Sequence, residues 1–180
     1  MVCTTKNAIA QAAAKMIRPG QTILLDAGTT VAALAAHLPA DMPLTVVTHS
    51  LPVASALIDK PSIEVVVLGG RLLRESAAMG GAEVVTEYGR CRADLCFLGV
   101  ASVDSEIGLG VFNHEDAEVK RAMLAGSAEV IALASADKIG TTAPFLIGPV
   151  SVLDHLITET SAPADQINMI REKQIAVTVV

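Results

Sequence analysis

Near the start of the chain an apolar stretch, Thr22-Ile23-Leu24-Leu25, runs into Asp26-Ala27-Gly28-Thr29-Thr30 and from there into an alanine-rich helical pattern. A strand that enters a helix through a turn of small residues is the opening of a β-α-β unit, and such units build parallel sheets. The same junction carries chemistry. Backbone N–H groups at a helix start lack internal partners and the helix dipole adds positive potential, so an anion is favoured there. Gly28 lets a ligand approach the backbone, while Thr29 and Thr30 offer hydroxyl donors or a cap. Two readings stand side by side: a phosphate seat, or a helix N-cap with no ligand.

The rest of the chain repeats the alternation. Residues 6–17 form a helical pattern with Ile9, Ala12, Ala13, Met16 and Ile17 on one face, stopped by Arg18-Pro19-Gly20. Strands are expected at 44–48, 63–68, 95–98, 129–134 and 155–158, with a last one at 175–180. Helices are expected from Val31 to Pro39, from Ser50 to about Asp59, and over 82–91, 114–125 and the stretch after Pro163. Residues 71–74 read as an extension of the sheet, and 99–112 as a long polar loop. No linker or repeat divides the 180 residues, so the expectation is one α/β domain, a Rossmann-like, mostly parallel sheet flanked by helices.

Composition narrows the function classes. Aromatic residues are 2% of the chain against 52% hydrophobic, which leaves Ala, Val, Leu and Ile to fill the core, as suits strands covered on both faces. Cys3, Cys91 and Cys96 lack metal-ligand spacing and the four His are scattered, so neither a disulfide framework nor a metal site is expected, and Cys91 and Cys96 read as core residues. The net charge of −6, without a basic run, argues against this polypeptide gripping DNA by itself. No apolar run or leader pattern marks a membrane segment or a signal peptide, which points to the cytoplasm.

In an open parallel sheet ligands bind beyond the carboxyl ends of the strands, near the point where strand order reverses. Polar and glycine residues gather at those ends: Asp26, Gly28, Thr29 and Thr30; Thr48, His49 and Ser50; Gly70; Gly99 and Asp104; Lys138. Turn residues explain part of this. Lys138 reads either as a solvated lysine or as a phosphate counter-charge. Glu115 suits the first turn of a helix and also the role of hydroxyl acceptor, and His49 reads as a ligand contact or a capping neighbour.

The motifs ILLDAGTT (23–30), TVVTHSL (45–51), VLGG (67–70), DLCFLGV (94–100), NHEDAEVKRAM (113–123) and DKIG (137–140) occur in that order. In them the chain resembles the C-terminal effector-sensing domain of DeoR-type bacterial transcriptional repressors, whose fold is shared with ribose-5-phosphate isomerase, glucosamine-6-phosphate deaminase and CoA transferases. The resemblance implies a sensor without cofactor or catalytic residue. It would bind a phosphorylated sugar or related metabolite, with the phosphate on Gly28, Thr29, Thr30 and Lys138. Asp26, Thr48, His49, Ser50, Gly70, Gly99, Asp104 and Glu115 would face the sugar. It also implies a homo-oligomer, and DNA contact through an N-terminal helix-turn-helix domain absent from this chain, which is then a piece of a longer protein. His49 where Asn is usual, Ala101-Ser102 for Asp-Gly, and Ser135-Ala136-Asp137 depart from the family wording and bear on which sugar is bound. The competing reading is a sugar-phosphate isomerase or deaminase with Glu115 or Asp104 as general base.

Overall fold

A computed structural model describes residues 2–180, with side chains from Lys6 onward; the side chains of Cys3, Thr4 and Thr5 lie outside the described residues. The helices are α1 (Val2–Ala14), α2 (Thr29–His37), α3 (Leu51–Leu57), α4 (Ala82–Arg90), α5 (His114–Ala125) and α6 (Ala164–Glu172). The strands are β1 (Thr22–Leu25), β2 (Leu44–Thr48), β3 (Ile63–Val67), β4 (Arg71–Leu73), β5 (Ala78–Gly80) and β6 (Ala93–Gly99), followed by β7 (Ser102–Asp104), β8 (Gly108–Val111), β9 (Ser127–Leu133), β10 (Phe145–Gly148), β11 (His155–Thr158) and β12 (Ala176–Val179).

Seven strands make one parallel sheet in the order β12-β11-β9-β6-β1-β2-β3. The chain builds outward from β1 to β2 and β3 on one side, then returns to place β6 on the other. The order therefore reverses at β1 and β6, whose carboxyl ends splay into a crevice. Alternation along β1 assigns its side chains to two cores. Ile23 and Leu25 join Phe97 and Leu133 beneath α1, α2 and α3. Leu24 joins Cys96 and Leu98 beneath α4, α5 and α6. Burial on both faces is why these strands read as continuous apolar runs.

The apolar face expected at 6–17 folds inward: Ile9, Ala10 and Ala13 are fully buried in the intramolecular core. Cys96 lies in the core and Cys91 is half-buried.

Two expectations are corrected. Residues 71–74 do not extend the main sheet, because β4 turns back through Arg74-Glu75-Ser76-Ala77 and pairs with β5 as a separate antiparallel hairpin. That hairpin is bonded across the end of β2, with the Met79 N–H donating to the His49 carbonyl (2.8 Å) and the Leu51 N–H to the Ala77 carbonyl (3.0 Å). Nor is 99–112 a loop: β7 and β8 form a hairpin that β10 completes as a three-stranded sheet. Gly108, at φ +111°, turns against Gly148, where a Cβ would meet the Gly148 carbonyl oxygen at 2.3 Å. Such glycine-rich strands carry too few side chains to display a period of two.

Candidate functional site

The crevice at the ends of β1 and β6 is a cavity of about 820 Å³, within the size range of small-molecule sites. One wall is the turn from Ala27 into α2, a second is Gly99, Val100 and Ala101, and Asn113, Asp116 and Lys120 of the α5 segment form a third. Glu75, Ser76 and Ala77 of the β4–β5 hairpin and Asp137, Lys138, Thr141 and Thr142 close the rim.

Helix α2 opens toward this space. Its N-cap is Gly28 at φ +126°, a conformation side-chain-bearing residues rarely adopt, and a glycine there offers no side chain to cap the first N–H groups. Thr30, also on the cavity wall, is only 8% exposed. Lys138 lines the cavity half-buried; burial lowers its pKa, Asp137 opposes that, and Lys6 and Lys120 add to it. From α1, the Lys6 ammonium reaches Thr29 Oγ1 at 2.8 Å.

Behind the wall lies a buried ionic network. Asp26, fully enclosed, accepts from the Gly99 N–H (2.8 Å) and from Lys120 Nζ (2.5 Å) through Oδ2. Lys120 also contacts Asp116 Oδ1 at 3.1 Å. Burial works to lower the Lys120 pKa, but the two carboxylates outweigh it and hold the ammonium protonated. Burial raises the Asp116 pKa, with Lys120 pulling the other way. Gly99 is required by this closeness, since a Cβ there would meet the Ala27 carbonyl oxygen at 2.7 Å.

His49, 2% exposed, places Nδ1 2.8 Å from the Tyr88 hydroxyl and Nε2 3.8 Å from Asp26 Oδ1, which has no hydrogen-bond partner among the described residues. Burial, aided by Lys120, lowers its pKa to about 4, so the ring is neutral at pH 7. Burial raises the Tyr88 pKa well above its ordinary value and keeps the phenol protonated. Tyr88 then donates to Nδ1, and the remaining ring N–H points to Asp26. Asp26, His49 and Asp116 each bring one ligand-type atom within 4.8 Å of the others. The Lys120 ammonium bridges the two carboxylates of that set and supplies the positive charge there.

The structure brings Gly28, Thr29, Thr30, Gly99 and Lys138 together on the cavity wall, with Asp26 directly behind. Thr48 and Ser50 are buried and act locally: Thr48 Oγ1 accepts from the Ser50 N–H, and Ser50 Oγ accepts from the Val53 N–H to cap α3. Gly70 lies against the Gly80 carbonyl oxygen, Asp104 accepts from the N–H groups of Glu106 and Ile107 in the β7–β8 turn, and Glu115 pairs with Arg71. None of these last five residues lines the cavity. Sequence reasoning passed over Lys6, Asp116 and Lys120. Lys120 had a signal: Ala117, Lys120 and Met123 share the buried side of α5, and a lysine in such a row needs a buried counter-charge.

A family model, the DeoR C terminal sensor domain, matches residues 2–160. The HTH-type transcriptional repressor GlcR of Bacillus subtilis is 38% identical over 88% of this chain and 60% of its own length. The glycerol-3-phosphate regulon repressor of Escherichia coli is 28% identical over 94% of this chain and 68% of its own. The chain thus spans roughly two thirds or less of the length of these relatives. Among solved structures, ribose 5-phosphate isomerase A of Methanocaldococcus jannaschii superposes with a TM-score of 0.51 at 17% identity, over 74% of this chain and 52% of that one; this likeness is one of fold.

Proposed function

Because the chain belongs to the DeoR C-terminal sensor domain family, we propose that its cavity binds a phosphorylated sugar or related phosphometabolite and that occupancy modulates operator binding by a helix-turn-helix domain outside this chain. The observation that carries the reading is the start of α2. The N-terminus of α2, the largely buried Thr30 and the half-buried Lys138 meet on one cavity wall. Backbone N–H groups, a hydroxyl and a cation are the donors a phosphate monoester takes. The name of the glycerol-3-phosphate regulon repressor supports an effector of this class. Asp116, Asn113 and the hairpin residues Glu75 and Ser76 supply the acceptors and donors for sugar hydroxyls.

The net charge of −6 assigns DNA contact to another part of the protein. We place the protein in the cytoplasm as a homo-oligomer; among the described residues no helix is long and apolar enough to cross a membrane. The isomerase reading lacks the bases it named, since Asp104 and Glu115 stand outside the cavity lining.

Thermal unfolding against a panel of sugar phosphates, each paired with its unphosphorylated sugar, tests the proposal. A native-state ligand at a hundred times its Kd adds about 2.7 kcal/mol, a shift of several degrees. The expected result is a rise with one phosphorylated sugar and none with its parent, without turnover. Thr30→Ala and Lys138→Ala should each weaken that binding roughly tenfold to a hundredfold while leaving the unliganded midpoint in place. Undiminished binding in both variants, or a rise with parent sugars alone, would remove the phosphate from the start of α2.

A further inference from the structure

We infer that Phe112 is a stacking platform for a sugar ring, so that the effector class of this cavity is a cyclic sugar phosphate rather than a triose or polyol phosphate. The inference rests on the phosphate reading above and adds to it the form of the sugar and the residue that reads it.

Aromatic rings are scarce in this chain, which has three Phe, one Tyr and no Trp. Phe97 and Tyr88 are fully buried, one in each core, and Phe145, partly buried, meets His114 edge to face with ring centroids 5.5 Å apart. Phe112 is 72% exposed. Single exposed apolar residues are ordinary, and Leu51, Ile58, Ile107 and Leu146 are others here. The position of Phe112 sets it apart: of the large apolar side chains exposed among the described residues, it alone lines the cavity. Its backbone is held on both sides. Val111 before it pairs with Phe145 in the three-stranded sheet, and Asn113 after it caps α5 by accepting from the Asp116 N–H at 3.2 Å.

The cavity has two kinds of lining. Thr29, Thr30 and Lys138 offer donors and charge, whereas Val100 and Ala101 beyond β6 and Val111 and Phe112 at the end of β8 offer apolar surface. A phosphate uses only the first. A triose phosphate has no flat apolar face to set against the second, but a furanose or pyranose has one. Its ring C–H bonds carry partial positive charge and are attracted by the negative face of an aromatic ring, while hydroxyls at its edge reach Asn113 and Asp116 on the same wall. A closed ring also has fewer rotatable bonds than an open chain of the same carbons, so holding it against Phe112 costs less entropy. The cavity, at about 820 Å³, has room for phosphate and ring together.

The test is calorimetric titration of wild type, Phe112→Ala, Phe112→Leu and Phe112→Tyr with matched pairs of probes: anhydrohexitol phosphates, locked as rings, and the open-chain hexitol phosphates of the same configuration, in the gluco, manno and galacto series. Glycerol phosphate and inorganic phosphate complete the set. Phe112 is exposed, and circular dichroism checks that each variant keeps its fold. In wild type one ring-locked phosphate should bind roughly tenfold or more tightly than its open-chain partner. Phe112→Ala and Phe112→Leu should lose most of that preference while binding inorganic phosphate as wild type does, and Phe112→Tyr should keep it. In Phe112→Trp, which gives the chain its single tryptophan, emission should change with the ring-locked phosphate and stay unchanged with inorganic phosphate. Open-chain phosphates that bind as tightly as their ring-locked partners would overturn the inference and leave the phosphate seat standing. A ring preference undiminished in Phe112→Ala would remove Phe112 as the platform. If wild type binds none of the phosphates, the phosphate reading falls and this inference with it.

Discussion

Asp26 is the residue on which the site turns. Its carboxylate lies at the end of the central strand, fully enclosed, and Oδ2 is held by one N–H and one ammonium. Removing one partner of a buried pair leaves an uncompensated charge and typically costs about 3–5 kcal/mol, more than the pair contributes in the intact protein. Lys120→Met should therefore lower unfolding stability by about that amount in denaturant titration. The double variant Asp26→Asn/Lys120→Met should recover a large part of the loss, because the charge left behind is then also gone. Equal losses in the single and double variants would mean that Lys120 acts through packing rather than through charge.

At the scale of elements, the β4–β5 hairpin links the end of β2 to the rim of the cavity, and Gly70 fixes how closely it sits. A Cβ at that position would meet the Gly80 carbonyl oxygen at 2.5 Å and Val84 Cγ2 at 2.9 Å. Gly70→Ala should cost about 1–3 kcal/mol in denaturant unfolding and raise hydrogen exchange at Met79 and Leu51, whose N–H groups bond across this junction. Unchanged exchange at those amides would show that the strain relaxes elsewhere. The main strands were legible in sequence because burial on both faces forces long apolar runs, and β2, α5 and β11 fall where the residue pattern set them. The two hairpins were not, because glycines and charges at 71–80 and 99–112 mask the alternation that strand pairing restores in space. The site was legible in part. Turn chemistry marks Gly28 to Thr30, whereas the union of Lys6, Lys120 and Lys138 depends on helix packing that no local motif records.

For the molecule as a whole, the reversal of strand order draws the turn after β1, the end of β6, a face of α5 and the segment at Lys138 to one point between two cores. A ligand bound there, as proposed, would consequently couple to global stability, and His49 adds a dependence on pH. Its native pKa is lowered to about 4 from 6.5 by burial, so the unfolded chain binds this proton more readily than the native one. The contribution is present above pH 6.5 and is lost as pH falls toward 4, at up to about 1.4 kcal/mol per pH unit. Stability measured by denaturant between pH 7 and pH 4.5 should fall more steeply in wild type than in His49→Asn, and parallel curves would exclude His49 as the cause. The hydrogen bond from Tyr88 to that same ring has an optical consequence. The chain holds no Trp and a single Tyr, so its near-ultraviolet emission and circular dichroism arise chiefly from one phenol lodged behind the cavity, and a native chromophore already stands where occupancy would be felt.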